Sequence, residues 1–354
     1  MGETWTVILD HLDVPIALAP MAGGPSTPEL TAAVAEAGGF GQLAAGYLSA
    51  TDTAARITAT RVATDKPFGV NLFVPGPATP AADLADYLAE LGADHELGDA
   101  KFDTDDWDAK LDLLVADPVA AVSFTFGCPS AAEIARLHAV GSEVWVTVTS
   151  PGEARVAVDA GADVLIAQGV EAGGHRASFV DRPAADETDP LGLLALLQLL
   201  ATATDRPLVA TGGIATGAGI AAALAAGAAA AQLGTVFLRC PEAGTNHVHR
   251  TALTAETPTM LTRAFTGRRA RGLRNRFLLA HTATAPAGYP EIHYATAPLR
   301  AAARAAGNAD EVNLWAGQTH ALAPETPASD LVRALAADTK TALEKALSRR
   351  IQSS

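Results

Sequence analysis

Short apolar runs of strand length recur along the chain, with helical patterns between them. They lie at Ile16 to Ala19, Gly41 to Leu43, Phe68 to Leu72, Ala121 to Phe124, Glu143 to Val148, Val164 to Ala167, Leu208 to Ala210 and Ala231 to Leu233. Apolar strands that alternate with helices predict βα units and a parallel sheet covered on both faces. Eight such units predict an α/β fold of the (β/α)8 TIM barrel type. The helices carry boundary signals as well. Thr27-Pro28-Glu29-Leu30 offers an N-cap followed by a first-turn proline, and that helix stops at Gly38-Gly39. Pro151-Gly-Glu153 opens another, which breaks at Gly161, and the last helical pattern, Ser329 to Ile351, would close the barrel.

Two stretches interrupt the alternation. Pro75 to Trp107 turns rich in Pro, Ala and Asp with a helical middle at Ala81 to Leu91, and reads as a long βα excursion on the pocket side. Residues 241–308, after the eighth strand, are too long for an ordinary loop. They predict a small, mostly helical domain inserted on the substrate side, leaving 1–240 and 309–354 as the barrel.

Composition narrows the function classes. With 49% hydrophobic and 18% charged residues, the 354-residue chain can bury a substantial core. Its net charge of -14 argues against a sequence-independent nucleic-acid binder. One local exception places six arginines, Arg263, Arg268, Arg269, Arg271, Arg274 and Arg276, in fourteen residues. They read first as a solvated helix face or internal ion pairs, and second as an electropositive lip for a small anionic substrate. Cys128 and Cys240 are too few for a disulfide framework and, like the histidines, lack metal-ligand spacing, so no metal is expected and a reducing cytoplasm is the simplest home. Met1 to His11 lacks a long apolar run and Ile220 to Gln232 is too weakly hydrophobic to span a bilayer, so no membrane partner is expected. The chain is expected as a monomer or homodimer.

In a barrel of this type the carboxyl ends of all strands open on one face, so polar and glycine residues following each run would ring one pocket. The most telling stretch is Gln168 to Arg176, where Gly173 and Gly174 let the backbone approach a planar ring or phosphate and His175 faces whatever sits there. A Gly-rich turn with a capping histidine is the plainer alternative. Gly212 and Gly213 after the seventh strand, with Gln232, Leu233, Gly234 and Thr235 at the end of the eighth, have the order of a phosphate handle. Asn71 and Gln168 bring carboxamides that both donate and accept, as the edge of a pyrimidine-like ring requires. Met21 could lie against an aromatic ring. His175 is the only histidine in these strand-end loops and can act as base or hydrogen-bond partner. No nucleophile elbow, zinc motif or lysine-bearing phosphate loop occurs, which leaves a redox cofactor to carry the hard step.

Several segments together resemble the nitronate monooxygenases, formerly 2-nitropropane dioxygenases, and their first class in particular. They are Ala19 to Gly24 with Ser26 to Leu30, Ala37 to Gly41 running to Ala45-Gly-Tyr47, Phe68 to Pro75, Ser123 to Gly127, Gln168 to Arg176 and Leu314 to Gln318. The resemblance implies an FMN-dependent barrel, with Met21, Asn71, Gln168, Gly173, Gly213 and Gln232 to Thr235 at the cofactor and His175 as the catalytic histidine; Gly174 and Gly212 are expected beside them from the turns they occupy. It implies oxidation of alkyl nitronates, propionate 3-nitronate among them, by O2 to a carbonyl compound and nitrite. Glu171 to His175 is shared with FMN-dependent enoyl-thioester reductases of the same barrel type, so an NAD(P)H-dependent enoyl-thioester or quinone reductase is the alternative. A flavin-binding protein without turnover is a third reading.

Overall fold

The computed structural model describes residues 7–181 and 190–348. Eight parallel strands form one sheet: β1 (Ile16–Leu18), β2 (Gly41–Ala44), β3 (Phe68–Phe73), β4 (Ala121–Thr125), β5 (Glu143–Val148), β6 (Val164–Gln168), β8 (Leu208–Thr211) and β9 (Ala230–Leu233). Their order, β1-β9-β8-β6-β5-β4-β3-β2, brings the first two strands to opposite ends of the list. The ring closes between them through a parallel bridge of Ala17 to Phe40, with Leu18 N–H donating to Phe40 O at 2.8 Å and Phe40 N–H to Ile16 O at 2.9 Å. This is the expected (β/α)8 TIM barrel, and every strand lies within one residue of its expected bounds.

The helices form where their caps say they should. Thr27 Oγ1 accepts from Leu30 N–H at 3.0 Å and starts α1 (Pro28–Glu36). Ser150 Oγ accepts from Glu153 N–H at 3.2 Å and starts α6 (Pro151–Ala160), which ends on Gly161 at φ +109°. The closing helix is α13 (Ala328–Ser348), and residues 349–351 of its expected span lie outside the described residues, as do Met1 to Thr6 of the N-terminal stretch. It packs on α8 (Gly217–Ala225), where Gly217 lies so close that a Cβ would meet Thr339 N at 2.4 Å.

Side chains alternate along each strand, and this sorts the barrel interior into layers. Phe40, Trp145, Ile166 and Val209 pack near the amino ends, with the Phe40 and Trp145 rings 4.8 Å apart. The turn Ile8–His11 covers that end, with Leu9 in the same cluster. Nearer the carboxyl ends the inward positions turn polar: Asn71, Ser123, Gln168 and Gln232 are all buried. The barrel is therefore solid below and chemically equipped above.

Two long segments build over that equipped face. The excursion after β3 contains α3 (Ala81–Gly92) and runs on to α4 (Trp107–Ala116). Residues 241–308 contain α9 (His247–Ala252), the strands β10 (Thr259–Thr262) and β11 (Ala270–Leu273), α10 (Arg276–His281), α11 (Glu291–Ala295) and α12 (Ala297–Ala305). Leu84, Tyr87 and Leu91 of α3 share a core with Phe265, Phe277, Ile292 and Leu299, and Tyr87 donates to Ala264 O at 2.6 Å. The hairpin β10–β11 extends to the barrel through β7 (Gly174–His175), where His175 pairs with Ala270.

Candidate active site

The strand ends converge on one cavity of about 510 Å3, and Met21, Asn71, Gln168, Gly173, Gly174, His175, Gly212, Gly213, Gln232, Leu233, Gly234 and Thr235 all line it. Their local bonds divide the work. Gln168 Nε2 donates to His175 O at 3.1 Å and its Oε1 accepts from Ala177 N–H at 2.9 Å, so this carboxamide shapes the loop that carries the histidine. Asn71 Nδ2 sits within 3.1 Å of Ser123 O, Ser123 Oγ and Thr125 Oγ1, which ties it to β4. Gln232 differs, because its Nε2 is buried without a protein partner. A buried donor left unpaired costs about 1–3 kcal/mol unless a ligand takes it.

The glycines are required by close approach. Gly213 sits at φ +66°, and a Cβ there would meet Glu171 Cβ at 2.8 Å. Gly173 passes so near the 316–317 backbone that a Cβ would meet Gly317 N at 2.5 Å. Gly317 N–H in turn donates to Thr235 Oγ1 at 3.0 Å, joining the eighth strand's turn to the far wall.

His175 is half-buried, with one side open to the cavity. Its Nε2 lies 2.9 Å from Thr266 Oγ1, and that hydroxyl donates to Arg268 O at 3.2 Å. A hydroxyl with its proton committed to a carbonyl accepts from the ring, which favours the Nε2–H tautomer and leaves Nδ1 as the free lone pair. Burial, reinforced by the charges of Arg268 and Arg300, pushes the ring's pKa down to about 3. The imidazole is therefore neutral at working pH.

The lining holds no aspartate or glutamate among the described residues, yet Arg300 and Arg304 both face the cavity. They stand four apart on α12, where like charges repel. Arg300 is 6% exposed and spends its hydrogen bonds on Thr296 Oγ1 and His293 O, at 3.2 and 2.6 Å. Neither arginine pairs with a carboxylate among the described residues. None of the six clustered arginines lines the cavity, although Arg268 stands behind the Phe126 ring and its charge reaches His175. Arg263 and Arg269 lie against Asp181, Arg276 against Glu311, and Arg268 and Arg271 are buried against backbone carbonyls. Among the described residues no group of three or more His, Cys, Asp or Glu could hold a metal ion, and no helix is long and apolar enough to cross a membrane.

The sequence profile of nitronate monooxygenase matches residues 7–338. The chain belongs to the nitronate monooxygenase family. It is 44% identical to a nitronate monooxygenase of Pseudomonas aeruginosa, over 95% of this chain and 98% of that protein. It is 42% identical to a nitronate monooxygenase of Paraburkholderia phytofirmans, over 97% of each. Its fold superposes on a nitroalkane oxidase from Streptomyces ansochromogenes with a TM-score of 0.93 at 49% identity, covering 96% of this chain and 99% of that one.

Membership in the nitronate monooxygenase family makes the molecule an oxidoreductase. Its cavity also holds residues to which the sequence reading gave no role: Tyr47, Thr266, His249, His293, Arg300 and Arg304. His249 Nε2 donates to Trp315 O at 2.9 Å, and burial pushes its pKa down to about 4. A faint signal existed for three of them. His293, Arg300 and Arg304 recur at helical spacing and so share a face across α11 and α12, but short helices broken at Thr296 hide that period.

Proposed function

We propose that this protein oxidises alkyl nitronates, propionate 3-nitronate among them, with O2 to a carbonyl compound and nitrite, using FMN bound in the cavity. The observation that carries the reading is the pairing, in one cavity, of a glycine-and-carboxamide cradle with two guanidiniums that no acidic residue offsets among the described residues of its lining. The cradle suits a flavin mononucleotide. Gly173, Gly174, Gly212, Gly213 and Gly234 line the cavity with bare backbone and let its loops pack closely, Gln232 Nε2 offers an unused buried donor, and Asn71, Gln168, Leu233, Thr235 and Met21 complete the wall. FMN would supply the chemistry the side chains lack, accepting electrons from an electron-rich carbon and passing them to O2.

The chain's own residues handle the anion. Arg300 and Arg304 draw a negative substrate into a site of low dielectric, where attraction exceeds that in water. His175, neutral and with Nδ1 free, is the catalytic residue of this reading. It orients the substrate and takes a carbon-bound proton only when a neutral nitroalkane is offered.

Anaerobic mixing of the purified yellow protein with propionate 3-nitronate, then separately with NADPH, tests the reading. A change in the flavin spectrum with the nitronate, followed by nitrite on admitting air, is expected. Bleaching by NADPH with the nitronate inert would move the protein to the reductase class.

A further inference from the structure

Tyr47 enters the cavity in a left-handed backbone conformation, φ +67°. For a residue with a Cβ this costs about 1–2 kcal/mol, so contacts elsewhere must hold it. The holder comes from the excursion after β3. Asp105 Oδ1 accepts from Tyr47 N–H at 2.8 Å, and Asp105 Oδ2 lies 2.8 Å from Lys110 Nζ. The Lys110 side chain is 1% exposed, and its ammonium donates to Ala45 O at 2.9 Å, two residues before Tyr47. Asp106 Oδ2 accepts from Ala50 N–H at 3.1 Å just beyond it. The turn bearing Tyr47 is thus gripped on both sides by residues 105–110.

A buried ion pair is a poor source of net stability, because desolvation offsets much of its attraction. Here both members direct bonds at one short turn, so what the pair specifies is the placement of that turn. The turn presents a shaped donor. The Tyr47 ring stacks on His293 with centroids 4.0 Å apart and planes within 4°. Its oxygen accepts from the Tyr289 hydroxyl at 3.1 Å, which leaves the Tyr47 proton to donate elsewhere. The Tyr289 ring lies 5.6 Å from the His175 ring, so this donor stands one ring away from the histidine. Burial pushes the Tyr47 hydroxyl up to about 12, which keeps the proton in place.

We propose that Tyr47 donates a hydrogen bond to the anionic substrate and that Asp105 and Lys110 are positioning residues that aim it. This rests on the nitronate reading above. It gives the excursion a task at the site that its composition does not announce.

A double-mutant cycle on the flavin-loaded enzyme tests it, with propionate 3-nitronate as substrate. Tyr47→Phe removes a hydrogen bond to a charged group, for which KM should rise roughly tenfold or more while kcat stays within about threefold. Asp105→Asn should raise KM in the same way in the wild-type background and change it less than about twofold in the Tyr47→Phe background. Asp105→Asn combined with Lys110→Met removes both charges and guards against misfolding from a lone buried ammonium; it should behave alike. Losses that add to that of Tyr47→Phe, or that fall on kcat or flavin content alone, would overturn the positioning role. Tyr47→Phe with unchanged KM would overturn the donor role. A wild-type enzyme inert to every nitronate would sink the functional reading and this inference together, whereas an active wild type with additive losses sinks the inference alone.

Discussion

Replacing Thr266 by valine isolates the role of the histidine's anchor, because the shape is kept and only a hydroxyl is lost. Thr266 is 1% exposed and joins His175 Nε2 at 2.9 Å to Arg268 O at 3.2 Å. Without it the ring has two choices. It keeps the Nε2–H tautomer with a buried donor unpaired, at a cost of about 1–3 kcal/mol, or it moves the proton to Nδ1 and loses the free lone pair. Either way the substrate meets a ring that is misplaced or in the wrong tautomer. At 1.36 kcal/mol per decade this corresponds to a fall in kcat/KM of roughly 5- to 160-fold. Oxygen uptake with a nitronate measures it, flavin absorbance controls for cofactor loss, and nitrogen NMR of the histidines reads the tautomer directly. Thr266→Ser should restore most of the rate. A valine variant with unchanged kcat/KM and an unchanged tautomer would refute the argument that this hydroxyl sets the state of His175.

Other outcomes follow from the same geometry. Gly213→Ala places a Cβ 2.8 Å from Glu171 Cβ at φ +66°, so the variant should fold yet purify with little flavin; full flavin occupancy would remove this glycine from the cradle. Arg300→Met should raise KM for an anionic nitronate about tenfold or more while leaving KM for a neutral nitroalkane within about threefold, and an equal rise for both would argue for packing rather than charge. The low pKa values of His175 and His249, about 3 and about 4, set the pH response. Above about 6.5 neither the folded nor the unfolded chain protonates them. As pH falls from there the unfolded chain gains protons first, so stability should decline by up to about 1.4 kcal/mol per pH unit for each histidine until its folded pKa is passed. Chemical denaturation of His249→Gln between pH 7 and 4 should show a shallower slope than wild type; equal slopes would mean this ring is already charged in the folded protein.

The barrel was legible because its signals are local. Each strand is a short apolar run, and caps such as Thr27 and Ser150 lie next to the helices they start. The twelve strand-end residues were legible for the same reason, since topology alone gathers them. Thr266, Arg300 and Tyr47 were not, because their meaning depends on partners far along the chain: Thr266 on His175, Arg300 on a lining without acids among the described residues, Tyr47 on Asp105. The arginine-rich stretch carried a strong compositional signal, and its first reading, internal pairing, is where Arg263, Arg269 and Arg276 lie; composition could not tell that the cavity's cations come from α12 instead.

The two-residue strand that bears His175 has its partner, Ala270 on β11, about a hundred residues later in the chain. A ribosome therefore completes the barrel's eight strands before it delivers the segment that seats the histidine. The histidine's edge is thus written after all eight strands, and the closing helix α13 is written later still. Grafting the 241–308 segment from one relative into another would exchange a wall of the cavity and, with it, the edge against which the reacting side chain is aligned, so the barrel that carries the histidine and the wall that aligns it can diversify at different rates.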